Sequence, residues 1–115
     1  GTQRLPRLIG LSHAKEMICS GRFIDAEKAL QWGLCDRVTG DDPVIEAEAM
    51  AQSMIMRPPL ALQAAKKSIM FGADSSLKQG LEYEALSFAI LFSTYDQKEG
   101  MHAFMEKRKP RFKGI

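Results

Sequence analysis

Cysteine is scarce in this sequence, and histidine is equally so. Cys19 and Cys35 are the two cysteines, and neither their spacing nor their number suits a metal site or a disulfide framework. His13 and His102 also lack neighbouring residues at metal-ligand spacing. We therefore expect two reduced thiols in a reducing compartment and no metal site.

Long apolar runs are absent as well. The longest extends from Ala85 to Phe92 and is interrupted by Ser87, whereas a membrane-spanning helix needs about 20 predominantly apolar residues. We therefore expect a soluble chain with no membrane partner. The sequence begins at Gly1 without an initiator methionine or a targeting signal, which leads us to expect that residues upstream have been removed.

Several catalytic signatures are missing. The sequence contains no glycine-rich phosphate loop, no nucleophile elbow and no Ser-His-Asp order. It also shows no internal repeat and no low-complexity segment. Its length of 115 residues and its hydrophobic content of 45% are typical of one soluble globular domain.

Acidic residues are missing from the end of the chain. From Lys107 onward there are five basic residues and no acid, whereas the first 106 residues carry 11 basic and 14 acidic groups. The tail is therefore predicted to face an anion, which could be a phosphate on a small molecule, a nucleic acid or solution counterions. Composition alone favours the interpretation that this terminus is solvated and frayed.

The rest of the sequence carries signals for six helices, each with an apolar stripe. The first is predicted from Pro6 to Cys19, the second after Asp25 and ending at Gly33, the third from Pro43 to before Pro58, and the fourth from Pro59 to Gly72. Capping boxes, Ser76 with Gln79 and Thr94 with Gln97, begin the fifth and sixth helices, and Pro110 ends the last. Residues 34–38 alternate as a short strand would. The predicted fold class is all-α, a small helical bundle with one extended segment.

One face of the first helix carries candidate chemistry. Ser12, Glu16 and Cys19 fall at i, i+4 and i+7, roughly opposite Ala14 and Met17. Such a face is ordinarily the solvated side of an amphipathic helix, because charged residues are mostly exposed. Composition and spacing alone indicate no more than a soluble helical domain.

Several short segments, taken together, resemble a known family. They are residues 1–10, 14–17, 20–22, 25–29, 33–34, 36–38, 59–62 and 65–66, followed by residues 96–101 and 104–112. In this order and at these intervals, they resemble the carboxy-terminal part of the crotonase family, which includes enoyl-CoA hydratases and isomerases. The departures, such as Trp32 and Cys35, touch none of these motif residues.

The resemblance implies the helical C-terminal segment of a crotonase fold without its βαβ spiral core. Residues 1–40 would complete the catalytic core, and residues from about 43 to 115 would form the helical oligomerisation region. The intact protein would be an enoyl-CoA hydratase, a lyase of acyl-CoA and fatty-acid metabolism. It would form a trimer or a dimer of trimers in the cytoplasm, or in the mitochondrial matrix of a eukaryote.

The resemblance also implies site residues. Glu16 matches a catalytic glutamate that mainly donates a proton to the α-carbon, and its partner glutamate and the oxyanion-hole N–H groups would precede Gly1. Phe104 and Lys107 match positions that contact the nucleotide end of CoA, with the ring near adenine and the amine near a phosphate. CoA is then part of the substrate, and no separate cofactor is implied. The chain by itself is expected to be inactive.

Alternatives to this interpretation stay open. The reaction could be that of another crotonase-family isomerase, because the residue that distinguishes the two reactions would lie upstream. The chain could also be a non-catalytic oligomerisation module. Nucleic-acid binding is not predicted, because no recognition motif accompanies the basic tail. For Phe104 the competing interpretation is packing against Met101, and for Lys107 it is a solvated charge.

Overall fold

A computed structural model describes residues 1–115 and contains six α-helices and no strand, so the predicted all-α class is confirmed. The helices are α1 (Arg4–Ser20), α2 (Ala26–Gln31), α3 (Pro43–Ile55), α4 (Pro59–Ala73), α5 (Leu77–Leu91) and α6 (Tyr95–Met105). The chain divides into two compact units, residues 1–48 and residues 49–115. None of the helices has both the length and the apolar character that crossing a membrane requires.

The first helix is not the continuous helix that the sequence predicts. Gly10, with φ 79° and ψ 161°, interrupts α1, so a short helical piece precedes it and a longer piece follows it. This combination of angles is essentially restricted to glycine. The longer piece carries Glu16 and ends at Gly21, which takes the left-handed conformation with φ 64°. The direction of the Glu16-bearing helix is therefore set at Gly10.

The segment after α1 is held by local contacts within the first unit. Asp25 Oδ1 accepts a hydrogen bond from the Lys28 N–H at 2.7 Å, which is the predicted cap of α2. Trp32 lies just beyond α2 rather than inside it, and its ring stacks on His13 with the ring centres 4.1 Å apart. Residues 34–38 form no strand, because the chain contains no second strand with which they could pair.

Helices α3 and α5 also begin at the predicted capping residues. Pro43 is the first residue of α3, and the side chain of Asp42 accepts a hydrogen bond from the backbone of that first turn at 2.9 Å. At the start of α5 the capping box is complete, since the Ser76 hydroxyl accepts from the Gln79 N–H and the Gln79 side chain accepts from the Ser76 N–H. Local side chains thus satisfy N–H groups that a helix start leaves unpaired.

Within the second unit, α4 and α5 pack directly against each other. Gly72 and Gly80 allow a close approach, because a Cβ atom added at Gly80 would lie 3.5 Å from the Gly72 Cα. Phe71 and Tyr83 stack between the helices with their ring centres 4.7 Å apart. The two helices therefore approach each other closely at Gly72 and Gly80.

The fully buried apolar core is small. Ile9, Ala14 and Ala103 are its members. Much of the predicted apolar stripes stays exposed instead, with Leu11 of α1 at 67% and Phe88 of α5 at 62%. Packed helices bury only the sides that face each other, so helices without a second layer leave most of each stripe uncovered.

Candidate functional site

Helix α6 carries Phe104 and leads into Lys107, the two residues predicted to contact CoA. At its start, the Thr94 hydroxyl accepts a hydrogen bond from the Gln97 N–H at 3.2 Å. The reciprocal bond, in which the Gln97 side chain would accept from the Thr94 N–H, is not formed, so only half of the second predicted capping box is present. The helix ends at Met105, well before the predicted stop at Pro110.

Two acidic side chains of α6 are buried. Asp96 and Glu99 are 2% and 9% exposed, and their spacing of three residues places them on one face of the helix. Burying an ionised carboxylate without partners is very costly. The chain that follows α6 supplies those partners.

Asp96 binds the last residues of the chain. Its two carboxylate oxygens accept hydrogen bonds from the backbone N–H groups of Lys113 at 2.6 Å and Gly114 at 2.8 Å. Beside it, the Tyr95 N–H donates to the Ile115 carbonyl at 2.8 Å. The Lys113 ammonium also lies 4.3 Å from the centre of the Tyr95 ring. These contacts fasten the carboxy terminus to the first turn of α6.

Glu99 binds the turn that follows α6. Its carboxylate accepts two hydrogen bonds from the Arg108 guanidinium, at 2.6 Å and 3.0 Å, and a third from the Arg111 N–H at 2.8 Å. The hydrogen bonds from Arg108, followed by the one from Arg111, lower the pKa of Glu99 from 4.5 to about 2. Glu99 and Glu106 in turn raise the pKa of Arg108 above its ordinary value. Glu99 therefore stays ionised throughout the neutral and mildly acidic range.

The basic tail is thus folded back along α6, and the interpretation of a frayed terminus is wrong. The tail's backbone N–H groups satisfy the two buried carboxylates, which a frayed terminus could not do. The Phe112 ring also lies close to Gly100, where an added Cβ atom would be 3.6 Å from it. The side chains of Lys107 and Lys109 nevertheless point into solvent, because both residues are exposed. The backbone is held while the positive charge faces outward.

Lys107 has an unusual backbone conformation at the end of α6. The Lys107 N–H donates to the Phe104 carbonyl at 3.2 Å, and the Arg108 N–H donates to the Ala103 carbonyl at 3.0 Å. This is the hydrogen-bond pattern of a Schellman motif, whose left-handed position is usually glycine. Here Lys107 occupies that position with φ 54°, and it is the one residue other than glycine with positive φ.

Phe104 and Lys107 share the exposed end of α6. Phe104 is 82% exposed and Met101 is 54% exposed, so the competing interpretation of packing between them is not supported within this chain. Lys107 is exposed and takes part in none of the three ion pairs of the chain. An aromatic ring and an unpaired ammonium are therefore both available to a ligand.

Glu16 lies in the first unit, on the second piece of α1. Its side chain is exposed and forms no hydrogen bond or ion pair, and only its carbonyl accepts a bond, from the Ser20 hydroxyl at 2.5 Å. Ser12 and Cys19 are exposed as well, so the predicted solvated face is confirmed for this chain. The catalytic role of Glu16 stays a prediction that rests on the family resemblance.

Two apolar grooves mark the surface of the second unit. One, of about 450 Å³, runs between α4 and α5 and includes Ala65, Leu81 and Phe88 in its lining. The other, of about 370 Å³, is bordered by Phe88, Phe92 and Phe112. Because both grooves are open and mainly apolar, they are suited to covering by another apolar surface rather than to acid–base chemistry.

Asp96 and Glu99 are the site residues that the sequence did not single out individually. In the sequence they are two acids among 14, and nothing local predicts their burial. Their spacing on one face of a helix, followed by a tail with five basic residues and no acid, is the signal that could have identified them. It can be used only with the additional knowledge that the tail folds back onto the helix.

Comparisons with known proteins cover the whole chain. Residues 1–115 match a family model described as enoyl-CoA hydratase/isomerase. The chain is 44% identical to the 2,3-dehydroadipyl-CoA hydratase of Escherichia coli, over 99% of this chain and 45% of that protein. It is 41% identical to an enoyl-CoA isomerase/hydratase, fer4, of Mycosarcoma maydis, over 99% of this chain and 42% of that protein.

A solved structure gives the same result for the fold. The structure of an enoyl-CoA hydratase from Geobacillus kaustophilus matches with a TM-score of 0.95 and 38% identity, over 100% of this chain and 44% of that one. The chain therefore spans less than half the length of these relatives. The similarity in sequence and in structure confirms the resemblance found in the short motifs.

Proposed function

Because the chain belongs to the enoyl-CoA hydratase/isomerase family, we propose that it is the carboxy-terminal part of an enoyl-CoA hydratase. The intact enzyme adds water across the double bond of a 2-enoyl-CoA thioester. The observation that carries the proposal is the end of α6, where Phe104 and, three residues further along the chain, the unpaired Lys107 are both exposed.

These two residues suit the nucleotide end of CoA. An ammonium that makes no ion pair within the chain can form a charge-assisted hydrogen bond with a phosphate. An exposed aromatic ring offers a flat apolar face on which adenine can stack. Phe104 and Lys107 would therefore bind CoA as part of the substrate, and the proposal assigns no separate cofactor.

Glu16 has the catalytic role in this proposal. Hydration requires a base for the attacking water, an acid for the α-carbon and donors for the enolate oxygen. Glu16 would act as the proton donor, and the second glutamate and the oxyanion donors would come from elsewhere in the intact enzyme. Residues 1–115 alone would be inactive, because losing even one oxyanion donor typically costs about 10²- to 10³-fold in rate.

The apolar grooves support assembly into a homo-oligomer. Large exposed apolar patches on soluble proteins usually mark contacts, and Phe88, Ile90 and Phe92 of the α5 region are all more than half exposed. A trimer or dimer of trimers would cover this surface in the intact enzyme. The proposed compartment is the cytoplasm, or the mitochondrial matrix of a eukaryotic cell.

A second candidate function is isomerisation within the same family. The name of the Mycosarcoma maydis relative includes isomerase before hydratase. Both reactions use a CoA thioester and a carboxylate that moves a proton at carbon. The end of α6 would therefore have the same role in either case, and the reaction would be decided by residues outside this chain.

The experiment that tests the proposed function is an assay of the intact protein with crotonyl-CoA and with 3-enoyl-CoA. Hydration consumes the conjugated enoyl thioester, whereas isomerisation of a 3-enoyl-CoA produces it. We expect Glu16→Gln to lower kcat by about 10²- to 10⁴-fold, the usual contribution of general acid–base catalysis, with the fold intact. A variant that retains near-full hydration would identify Glu16 as a surface charge.

A further inference from the structure

Lys107 stands where this chain otherwise uses glycine. The other residues with positive φ are Gly10, Gly21, Gly33 and Gly114. A side chain in the left-handed conformation is strained, because its Cβ crowds the backbone. Glycine at position 107 would close the same Schellman turn without that strain. The lysine is therefore held in place against its own conformational preference.

The contacts that hold it come from Glu99. The residue after Lys107, Arg108, is bound to both carboxylate oxygens of Glu99, and the Arg111 N–H is bound to the same carboxylate. Lys107 thus lies between α6, which fixes the chain before it, and the Glu99 carboxylate, which fixes the chain after it. Any change that releases Arg108 and Arg111 frees the turn to relax.

The ion pairs of Arg108 also determine which cation at this end of α6 can bind a ligand. Arg108 is occupied by Glu99 and by Glu106, whose Oε2 accepts from the Arg108 Nε at 2.6 Å. Lys107 has no acidic partner. An anion that approaches this end of α6 can therefore bind the Lys107 ammonium, whereas the charge of Arg108 is already neutralised by its two acidic partners.

We propose that Glu99 is a positioning residue. Acting through Arg108 and the Arg111 N–H, it holds Lys107 in the left-handed turn and thereby directs the Lys107 ammonium toward the 3′-phosphate of a CoA ligand beside Phe104. This inference rests on the proposed function, because it assumes that Lys107 and Phe104 bind CoA. A carboxylate buried in α6 thus sets the affinity for CoA without touching it.

The test compares Glu99→Gln with Glu106→Gln in the intact protein. Both changes remove a carboxylate that binds Arg108, but Glu106 is exposed and does not bind the Arg111 N–H. With crotonyl-CoA as substrate, we expect Glu99→Gln to raise KM by about threefold to fivefold with little change in kcat, a shift equivalent to less than one tenfold step in affinity. Glu106→Gln should leave both constants near wild type.

A measurement that depends on the 3′-phosphate of CoA distinguishes a positioning role of Glu99 from a role in stability alone. CoA and 3′-dephospho-CoA are compared as competitive inhibitors, since they differ in one phosphate. The wild type and Glu106→Gln should prefer CoA, whereas Glu99→Gln and Lys107→Ala should lose most of that preference. In a double-mutant cycle, adding Glu99→Gln to Lys107→Ala should cause no further loss, because the positioned group is already absent.

The outcomes distinguish this inference from the proposed function. If Lys107→Ala weakens binding and Glu99→Gln does not, the inference is overturned and the CoA site stands. If Lys107→Ala binds both inhibitors as the wild type does, the CoA site fails and the inference fails with it. Should Glu99→Gln not fold, Arg108→Lys keeps the charge, loses the paired hydrogen bonds and is expected to give the same losses, and an unchanged preference for CoA would overturn the inference.

Discussion

At the scale of single residues, the end of α6 combines a strained lysine with a fully paired carboxylate. Glu99 has a pKa of about 2 in the folded chain against an ordinary value of 4.5. A carboxyl whose pKa is lowered by folding stabilises the fold above its unfolded pKa, and this contribution is lost as the pH falls toward the folded pKa. The stabilisation that Glu99 gives this turn should therefore decrease as the pH falls through the acidic range.

This linkage predicts a pH-dependent difference between the wild type and Glu99→Gln. At pH 6 and above, the variant should unfold at a lower temperature, because Arg108 and the Arg111 N–H lose their carboxylate partner. Between about pH 4.5 and pH 2, as Glu99 of the wild type becomes protonated, the difference in Tm should shrink. Thermal unfolding followed by circular dichroism measures it. A difference that stays constant down to pH 2 would contradict the assignment.

Lys107→Gly tests two properties of Lys107 at once, its strained backbone and its positive charge. Relief of the left-handed strain should increase the free energy of unfolding by about 1 kcal/mol, while the loss of the ammonium should raise KM for a 2-enoyl-CoA. Urea unfolding and steady-state kinetics measure the two effects. Lys109→Gly is the matched control, because Lys109 is exposed but has no positive φ, and it should show no gain in stability.

Single residues also show where prediction from sequence stops. Phe104 and Lys107 were singled out through their place in a family motif, and the structure gives both of them the exposure that binding requires. The buried state of Asp96 and Glu99 was not predicted, because it depends on backbone N–H groups up to 18 residues away. No local sequence pattern indicates that the residues after α6 fold back onto that helix.

At the scale of helices, starts were predicted better than ends and interruptions. Capping residues such as Asp25 and Ser76 act on the N–H groups next to them, so a start can be recognised from a few letters. The sequence predicts the end of α6 too late, because the Schellman turn is formed with a lysine in the position that glycine usually occupies. The interruption at Gly10 cannot be predicted from the sequence pattern, because a glycine inside a helical pattern is often tolerated.

Gly10→Ala tests the interruption of α1. Nothing lies within 4 Å of a Cβ atom added at Gly10, so the cost should come from the backbone angles alone. A conformation essentially restricted to glycine costs another residue about 1–3 kcal/mol. Chemical denaturation should show a loss of that size. Gly40→Ala is the control, because Gly40 also has open space around it but no positive φ. Equal effects at the two positions would contradict the account.

At the scale of the whole chain, the all-α class was predicted correctly, but the core was not. The stripes expected to pack together remain largely exposed, as Leu81 at 54% and Phe88 at 62% show. The periodicity of apolar residues identifies which side of a helix is suited to burial, but it does not identify the surface that covers that side. A stripe that forms an interface with another surface has the same sequence pattern as one that packs inside the chain.

The exposed apolar face predicts self-association of residues 1–115. Light scattering should give a mass above that of one chain, and Phe88→Glu should lower it, because Phe88 lines both grooves. Met56→Glu is the matched control, since Met56 is 70% exposed but lines neither groove. A stable monomer that binds no apolar dye would contradict the prediction.

The central claim is that the end of α6 binds the nucleotide part of CoA, and it is tested most directly by Lys107→Ala beside Lys109→Ala in the intact protein. A charge-assisted contact is worth about 1.5–3 kcal/mol before solvent weakens it. Lys107→Ala should therefore raise both KM for crotonyl-CoA and the inhibition constant of CoA by about fivefold to tenfold, with kcat largely unchanged. Lys109→Ala should change neither constant. Constants for Lys107→Ala that match the wild type, or equal losses in both variants, would contradict the claim.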